Sequence, residues 1–288
     1  MNCDNKGEKQ TIQLKDGTTL SCCIREIGAP VWIIATHGIG EHYRRHQYLI
    51  DLFGQYFNIF LYDLRGHGES SGTRGNIEDF DQYRKDLIEI TNQLTERYRV
   101  KRLVYFGHSM GALITAGHLQ SYPDELLYPE RVFLSTPPVG AGGPLGPLVN
   151  ALPTGIVEKL ASFKSGLYLQ GLVDLGYLSH EPHVKINYLE DPLNILKLHT
   201  HMLFGVMEYA RHVFSKPMNC RTKLFCAFGT EDQVVSPKET EEYFTLIEKN
   251  AKIFVVQGAY HEMHNEIERY RRQYFTFLRD SIMDALKN

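Results

Sequence analysis

A serine hydroxyl is a weak nucleophile until a base removes its proton and a tight turn presents it to substrate. The segment Gly107-His108-Ser109-Met110-Gly111 offers such a turn. It follows a β-rich run, Arg102–Phe106, and precedes a helix-compatible run, Ala112–Leu119. A strand–turn–helix of this kind strains the serine backbone, so the positions two before and two after it need to be nearly free of side chain. Gly107 and Gly111 occupy them. Ser109 is therefore expected above the edge of a sheet at a helix N-terminus, where developing negative charge is favoured.

The base and its orienting acid should follow later in the chain, acid first. Asp232 lies in Gly229-Thr230-Glu231-Asp232-Gln233-Val234-Val235, after the run Lys223–Phe228. His261 ends Gly258-Ala259-Tyr260-His261, past the run Lys252–Val256. His261 is predicted to take the Ser109 proton and return it to a leaving alcohol, while Asp232 fixes the imidazole tautomer. Two neighbours compete for these roles. Glu231 adjoins Asp232 and is expected to face solvent; His264 follows His261 and is expected to enter the last helix. Most of the 13 histidines must be structural, His118 among them as helix filling. His261-Glu262-Met263-His264-Asn265 falls short of a zinc-binding His-Glu-x-x-His, because Asn265 stands where a histidine is needed. Neither a metal nor a cofactor is expected.

A tetrahedral intermediate needs donors for its oxyanion. His37-Gly38-Ile39-Gly40-Glu41-His42 follows the run Val31–Thr36, and its glycines let main-chain amides turn inward. The predicted donors are the Ile39 and Met110 amides; losing one such donor costs about 3–4 kcal/mol of barrier.

These residues need a scaffold. The runs Val31–Thr36, Phe57–Tyr62, Arg102–Phe106, Arg131–Ser135, Lys223–Phe228 and Lys252–Val256 have strand length and composition. Thr11–Leu14 and Thr19–Ile27 flank Asp16-Gly17, a hairpin signal. Between the later strands, apolar side chains recur every three or four residues, as at Phe80, Tyr83, Leu87, Ile90 and Leu94 within Glu78–Tyr98, and at Ile267, Tyr270, Tyr274 and Ile282 near the end. Alternating strands and helices predict an α/β fold, a mostly parallel eight-stranded sheet with helices on both faces and an antiparallel hairpin at one edge. The rhythm breaks between Pro137 and Pro217, which is read as an inserted, helical cap over the strand ends.

Composition agrees with this picture. The 288 residues are 43% hydrophobic and 23% charged, enough for a large core. Lys and Arg number 31 against 34 Asp and Glu, a net charge of −3 that argues against a nucleic-acid partner. No apolar window approaches the ~18 residues of a membrane span. A polar N-terminus without an apolar run predicts no secretory signal, and five irregularly spaced cysteines (Cys3, Cys22, Cys23, Cys220, Cys226) predict reduced thiols in a cytoplasmic setting.

The chain resembles the monoacylglycerol lipase and lysophospholipase group of the α/β-hydrolase fold. The matching pieces are His37-Gly-Ile-Gly-Glu41-His42, Asp63-Leu-Arg-Gly-His-Gly-Glu-Ser70, Gly107-His-Ser-Met-Gly111, the Asp232 loop, Gly258-Ala-Tyr-His261 and, in the cap, Tyr188-Leu-Glu-Asp-Pro-Leu193. The resemblance implies a hydrolase core of residues 1–136 and 218–288 around a cap of 137–217. It implies hydrolysis of monoacylglycerol to fatty acid and glycerol through an acyl-enzyme on Ser109, with lysophospholipase, thioesterase or general carboxylesterase activity as the alternative. It also implies that Glu41, Arg45, Tyr188 and His264 bind the glycerol head group. Glu41 and Arg45 equally fit a helix-start ion pair at i, i+4, and the two readings can coexist. The Asp63–Ser70 loop is read as scaffold for the oxyanion turn. Leucines crowd the first half of the cap, from Leu145 and Leu148 through Leu172 and Leu175, among Gly and Pro. Such a lid suits an acyl chain, whose burial yields about 0.8 kcal/mol per methylene, and suits transient contact with a membrane surface.

Overall fold

The computed structural model describes residues 7–144, 146–161, 166–171 and 173–287. Cys3, Leu145 and Leu172 lie outside the described residues. The first hairpin, β1 (Glu8–Gln13) and β2 (Thr19–Arg25), turns through Gly17 at φ 87°, a conformation glycine adopts without strain. Then come β3 (Trp32–Thr36), α1 (Tyr48–Phe53), β4 (Asn58–Tyr62), α2 (Gln82–Tyr98), β5 (Leu103–His108), α3 (Met110–Gln120) and β6 (Arg131–Ser135). A long insertion carries α4 (Gly146–Asn150), α5 (Thr154–Ala161), a small antiparallel pair β7 (Tyr168–Gln170) and β8 (Lys197–His199), α6 (Pro182–Glu190) and α7 (Thr200–Val213). The chain closes with β9 (Lys223–Gly229), α8 (Pro237–Glu242), β10 (Ala251–Val256) and α9 (Glu268–Met283).

The eight-stranded sheet runs β1-β2-β4-β3-β5-β6-β9-β10. β2 is antiparallel to both β1 and β4, and every other pairing is parallel. The strands alternate their side chains between two cores. Trp32, Ile34, Phe60 and Tyr105 join α2, α3 and α7 on one face. Ile33, Ala35, Val104 and Phe106 join α1 and α9 on the other. Each fully buried Leu, Ile or Phe contributes about 1.5–3 kcal/mol.

Several boundaries differ from expectation: β1 starts at Glu8 and β2 ends at Arg25, and two further shifts bear on the layers around the site. α2 starts at Gln82 instead of Glu78, because Asp79 Oδ1 accepts the Asp81 amide at 3.0 Å and the Asp79 carbonyl accepts that of Gln82. An aspartate turn competes with the helix there, and Phe80 packs from the turn. β5 runs two residues further than the apolar run and carries Gly107 and His108 within the sheet. Within the insertion, α7 buries Met202, Ala210 and Val213 in the main core, so this last helix belongs to the layer that covers the sheet. Among the described residues, Cys22, Cys23, Cys220 and Cys226 form no disulfide. Among the described residues no helix is long and apolar enough to cross a membrane.

Candidate active site

β3 lies between β4 and β5, so the chain leaves it first to one side and later crosses back to the other. At such a reversal the loops after neighbouring strands diverge and leave a crevice at their carboxyl ends. The turn Gly38–Gly40 follows β3 and Ser109 follows β5, so both border that crevice. Ser109 has φ 51° and ψ −120°, a strained backbone that its amide steadies by donating to the Ser135 carbonyl at 2.9 Å. The flanking glycines are sterically required. A Cβ on Gly107 would lie 2.6 Å from the Gly111 carbonyl oxygen, and one on Gly111 would lie 2.1 Å from that of Thr36.

Ser109, Asp232 and His261 converge. His261 Nε2 is 3.1 Å from Ser109 Oγ, and its Nδ1 is 2.7 Å from Asp232 Oδ2. Asp232 is itself oriented, since its Oδ1 accepts the amides of Val234 and Val235 at 2.8 and 3.0 Å. An acceptor at Nδ1 puts the ring proton there and leaves Nε2 able to receive the serine proton. Burial works against a charged imidazole, but the Asp232 carboxylate outweighs it and raises the His261 pKa above the ordinary histidine value. Glu231 is exposed. His118 is buried within α3, its Nε2 3.3 Å from Tyr105 Oη.

The turn after β3 is held from several sides. His37 Nε2 accepts the Leu64 amide at 2.9 Å, so its proton sits on Nδ1, which donates to the Gly38 carbonyl at 2.7 Å. This neutral ring links the oxyanion turn to the Asp63–Ser70 loop, where Asp63 accepts the amides of Tyr43 and Glu69, both at 2.8 Å. Burial pushes the Asp63 carboxyl up to about 6. From the insertion, Tyr188 Oη and the Ile195 amide both donate to the Gly40 carbonyl at 2.8 Å. A point 3.0 Å from Ser109 Cβ and 2.9 Å from Glu41 Oε1 is where Gly38 would carry a side chain, so nucleophile and carboxylate flank the same glycine. Among the described residues no acceptor engages the Ile39 or Met110 amide.

Around Glu41 lies a buried polar cluster. Its Oε1 accepts from the Gly38 amide at 2.5 Å and lies 2.9 Å from His46 Nε2; its Oε2 accepts from Arg45 Nε at 3.3 Å. Burial alone would raise this carboxyl, but His46, His108 and Arg45 reverse that and hold it well below the usual carboxylate range. Arg45 also donates to Glu262 and lies over the Tyr188 ring, 4.9 Å from its centroid.

A cavity of about 240 Å³ opens on Ser109 and His261. Glu41, Glu262 and His108 are among its polar lining; Leu169, Leu175, Leu178, Leu189 and Leu203 from the insertion are among its apolar lining. Of the four residues implied for a head group, Glu41 and Tyr188 line this cavity; Arg45 and His264 do not. Arg45 stands behind the wall between its two carboxylates. His264 is buried among His46, Tyr48 and His108, and neither ring nitrogen has a hydrogen-bond partner among the described residues. Glu262, by contrast, lines the cavity and was not singled out by motif. Its position directly after His261 was the available signal.

A mostly parallel sheet carrying a serine, a histidine and an aspartate on loops at one edge defines the chain as an α/β-hydrolase. It belongs to the family described as serine aminopeptidase, S33, which it matches over residues 30–268. It is 27% identical over 277 residues to monoglyceride lipase of Homo sapiens, across 90% of this chain and 85% of that protein. It is 23% identical over 290 residues to an abhydrolase domain-containing protein of Dictyostelium discoideum, across 98% of this chain but 28% of that longer protein. Among solved structures, a soluble variant of Saccharomyces cerevisiae monoglyceride lipase, in complex with a substrate analog, aligns with a TM-score of 0.82 at 16% identity, over 99% of this chain and 97% of that one.

Proposed function

We propose that the protein is a carboxylic ester hydrolase that cleaves monoacylglycerol to fatty acid and glycerol through an acyl-enzyme on Ser109. The observation that carries this reading is the hydrogen-bonded series Ser109–His261–Asp232 at a cavity lined by two carboxylates and by leucines of the insertion. The human relative's name supports an acylglycerol substrate.

As Ser109 Oγ attacks the ester carbon, His261 Nε2 receives its proton. The carbonyl oxygen becomes an oxyanion that the Ile39 and Met110 amides stabilise. Collapse breaks the bond to the alcohol, which leaves with the proton from His261. Water then enters, His261 removes its proton, and the second tetrahedral intermediate releases the fatty acid and free Ser109. Asp232 keeps the ring oriented and stabilises its cationic form in both halves. The acyl chain lies along the leucines of the insertion, and the alcohol lies by Glu41 and Glu262.

The insertion is also read as a surface that touches lipid. Eleven of the fifteen exposed large apolar side chains among the described residues fall between Leu148 and Leu196. An apolar patch of this kind is suited to collecting a substrate from a bilayer.

The test is a panel of esters and amides hydrolysed by wild type and Ser109→Ala: monoacylglycerol, lysophosphatidylcholine, short nitrophenyl esters and prolyl amides, with fluorophosphonate labelling alongside. Labelling of Ser109, loss of turnover in Ser109→Ala and preference for monoacylglycerol are expected. Absence of labelling in the folded protein would overturn the serine mechanism; preference for lysophosphatidylcholine or prolyl amides would overturn the substrate.

A further inference from the structure

The departing alcohol takes its proton from His261 Nε2, so its carbon skeleton must lie in the cavity that Ser109 and His261 line. Glu262 lines the same cavity, although its side chain is only 3% exposed. Its hydrogen bonds gather on one oxygen. Arg45 Nη2 and Asn265 Nδ2 both donate to Oε2, the latter at 2.7 Å. No donor among the described residues reaches Oε1. The other carboxylate at the cavity has no such spare oxygen, since Gly38 and His46 engage Glu41 Oε1 and Arg45 engages Oε2. His264 does not line the cavity.

We propose that Glu262 is a specificity-determining residue whose Oε1 accepts a hydrogen bond from a free hydroxyl of the alcohol portion, so that the site selects esters of neutral polyols over esters of simple alcohols. The proposal rests on the ester-hydrolase reading above and adds the residue that recognises the alcohol. Its energetic basis is a charge-assisted bond. Arg45 and Asn265 fix the carboxylate from behind, so little reorganisation is needed when a hydroxyl arrives.

The selection acts on acylation. Two esters with the same acyl chain form the same acyl-enzyme, so deacylation is common to both and only the steps that still contain the alcohol differ. kcat/KM reports those steps. A hydrogen bond from a neutral donor to a charged acceptor corresponds to a preference of about tenfold or more. We therefore expect wild type to favour monoacylglycerol over the methyl ester of the same acid by that factor in kcat/KM. Glu262→Ala and Glu262→Met, the second preserving the length of the side chain, should bring the ratio close to one.

A second measurement needs no variant. The acyl-enzyme can be intercepted by an added alcohol: the alcohol oxygen bonds to the acyl carbon, the bond to Ser109 Oγ breaks, and the alcohol proton passes through His261 to Ser109. By microscopic reversibility, glycerol at equal concentration should capture the acyl group in preference to methanol in wild type. Equal capture, a wild-type ester ratio near one, or variants that lose activity on both esters in proportion would each overturn the proposal, the last by reducing Glu262 to a support for Arg45. If no ester is turned over and Ser109 is not labelled, the ester-hydrolase reading fails first.

Discussion

Replacing Gly111 by alanine tests the backbone geometry on which the site depends. The added Cβ would lie 2.1 Å from the Thr36 carbonyl oxygen and 2.6 Å from that of His37. Both obstacles are main chain, so no rotamer change relieves the contact. Either α3 retreats from β3 or the end of β3 moves, and His37 immediately precedes the oxyanion turn. Forced insertions into packed interiors cost up to about 3 kcal/mol. Alanine recovers about 1 kcal/mol of helix propensity over glycine. The net expectation is a destabilisation of roughly 2 kcal/mol, seen as a Tm lowered by about 3 °C for a domain of this size. Misplacing the oxyanion amides by about 1 Å should also cut turnover on the order of a hundredfold. Gly155 in α5 is the control, because a Cβ there meets nothing within 4 Å. Gly155→Ala should keep full activity and gain up to about 1 kcal/mol. Thermal denaturation and ester turnover on the two variants check this, and a Gly111→Ala enzyme with wild-type Tm and rate would refute the reasoning.

Asp232→Asn should lower kcat by about 10³–10⁴ through loss of the correct tautomer. His261 acts as base only when neutral, and Asp232 raises its pKa, so activity should fall as pH drops through a midpoint above the ordinary value of 6.5. In Asp232→Asn that acid limb should move to lower pH, which a kcat/KM profile reads directly. Leu148 and Leu167 are 67% and 71% exposed, and replacing both by serine should weaken binding to phosphatidylcholine vesicles by about tenfold or more. Hydrolysis of a short water-soluble ester should be unchanged, and equal vesicle binding by the variant would count against lipid contact through the insertion.

Much of the scaffold was legible because its signals are local. Strand runs such as Phe57–Tyr62 are apolar at every position but Asn58 because both faces of the sheet are covered, and all five residues of β4 are buried. Gly107 and Gly111 could be assigned a steric role before any contact was known, because a strand-to-helix turn leaves no room beside its central residue. Orientation across the fold was not legible. The spacing of Glu41 and Arg45 shows that they can pair but not that Arg45 reaches Glu262, 217 positions further along. His264 has the type of a hydroxyl-binding residue, yet the packing of Tyr48 and His46 turns it into the interior. The position of Glu262 directly after His261 places it near the site, but nothing in its neighbours' identities says which side of that loop meets the cavity.

The ties between the insertion and the loops after β9 and β10 make the insertion a fixed wall of the site. The Tyr177 and Leu178 carbonyls accept the His261 and Glu262 amides, Ser179 donates to Asn265, and Tyr188 and Ile195 hold Gly40. Swinging this stretch outward would pull apart the machinery it covers. The start of the insertion is tied in the same way, since Gly140, Ala141 and Gly142 pair with Val234, Val235 and Ser236 just past Asp232, so a change in the base of the insertion is felt at Asp232 as well as at His261.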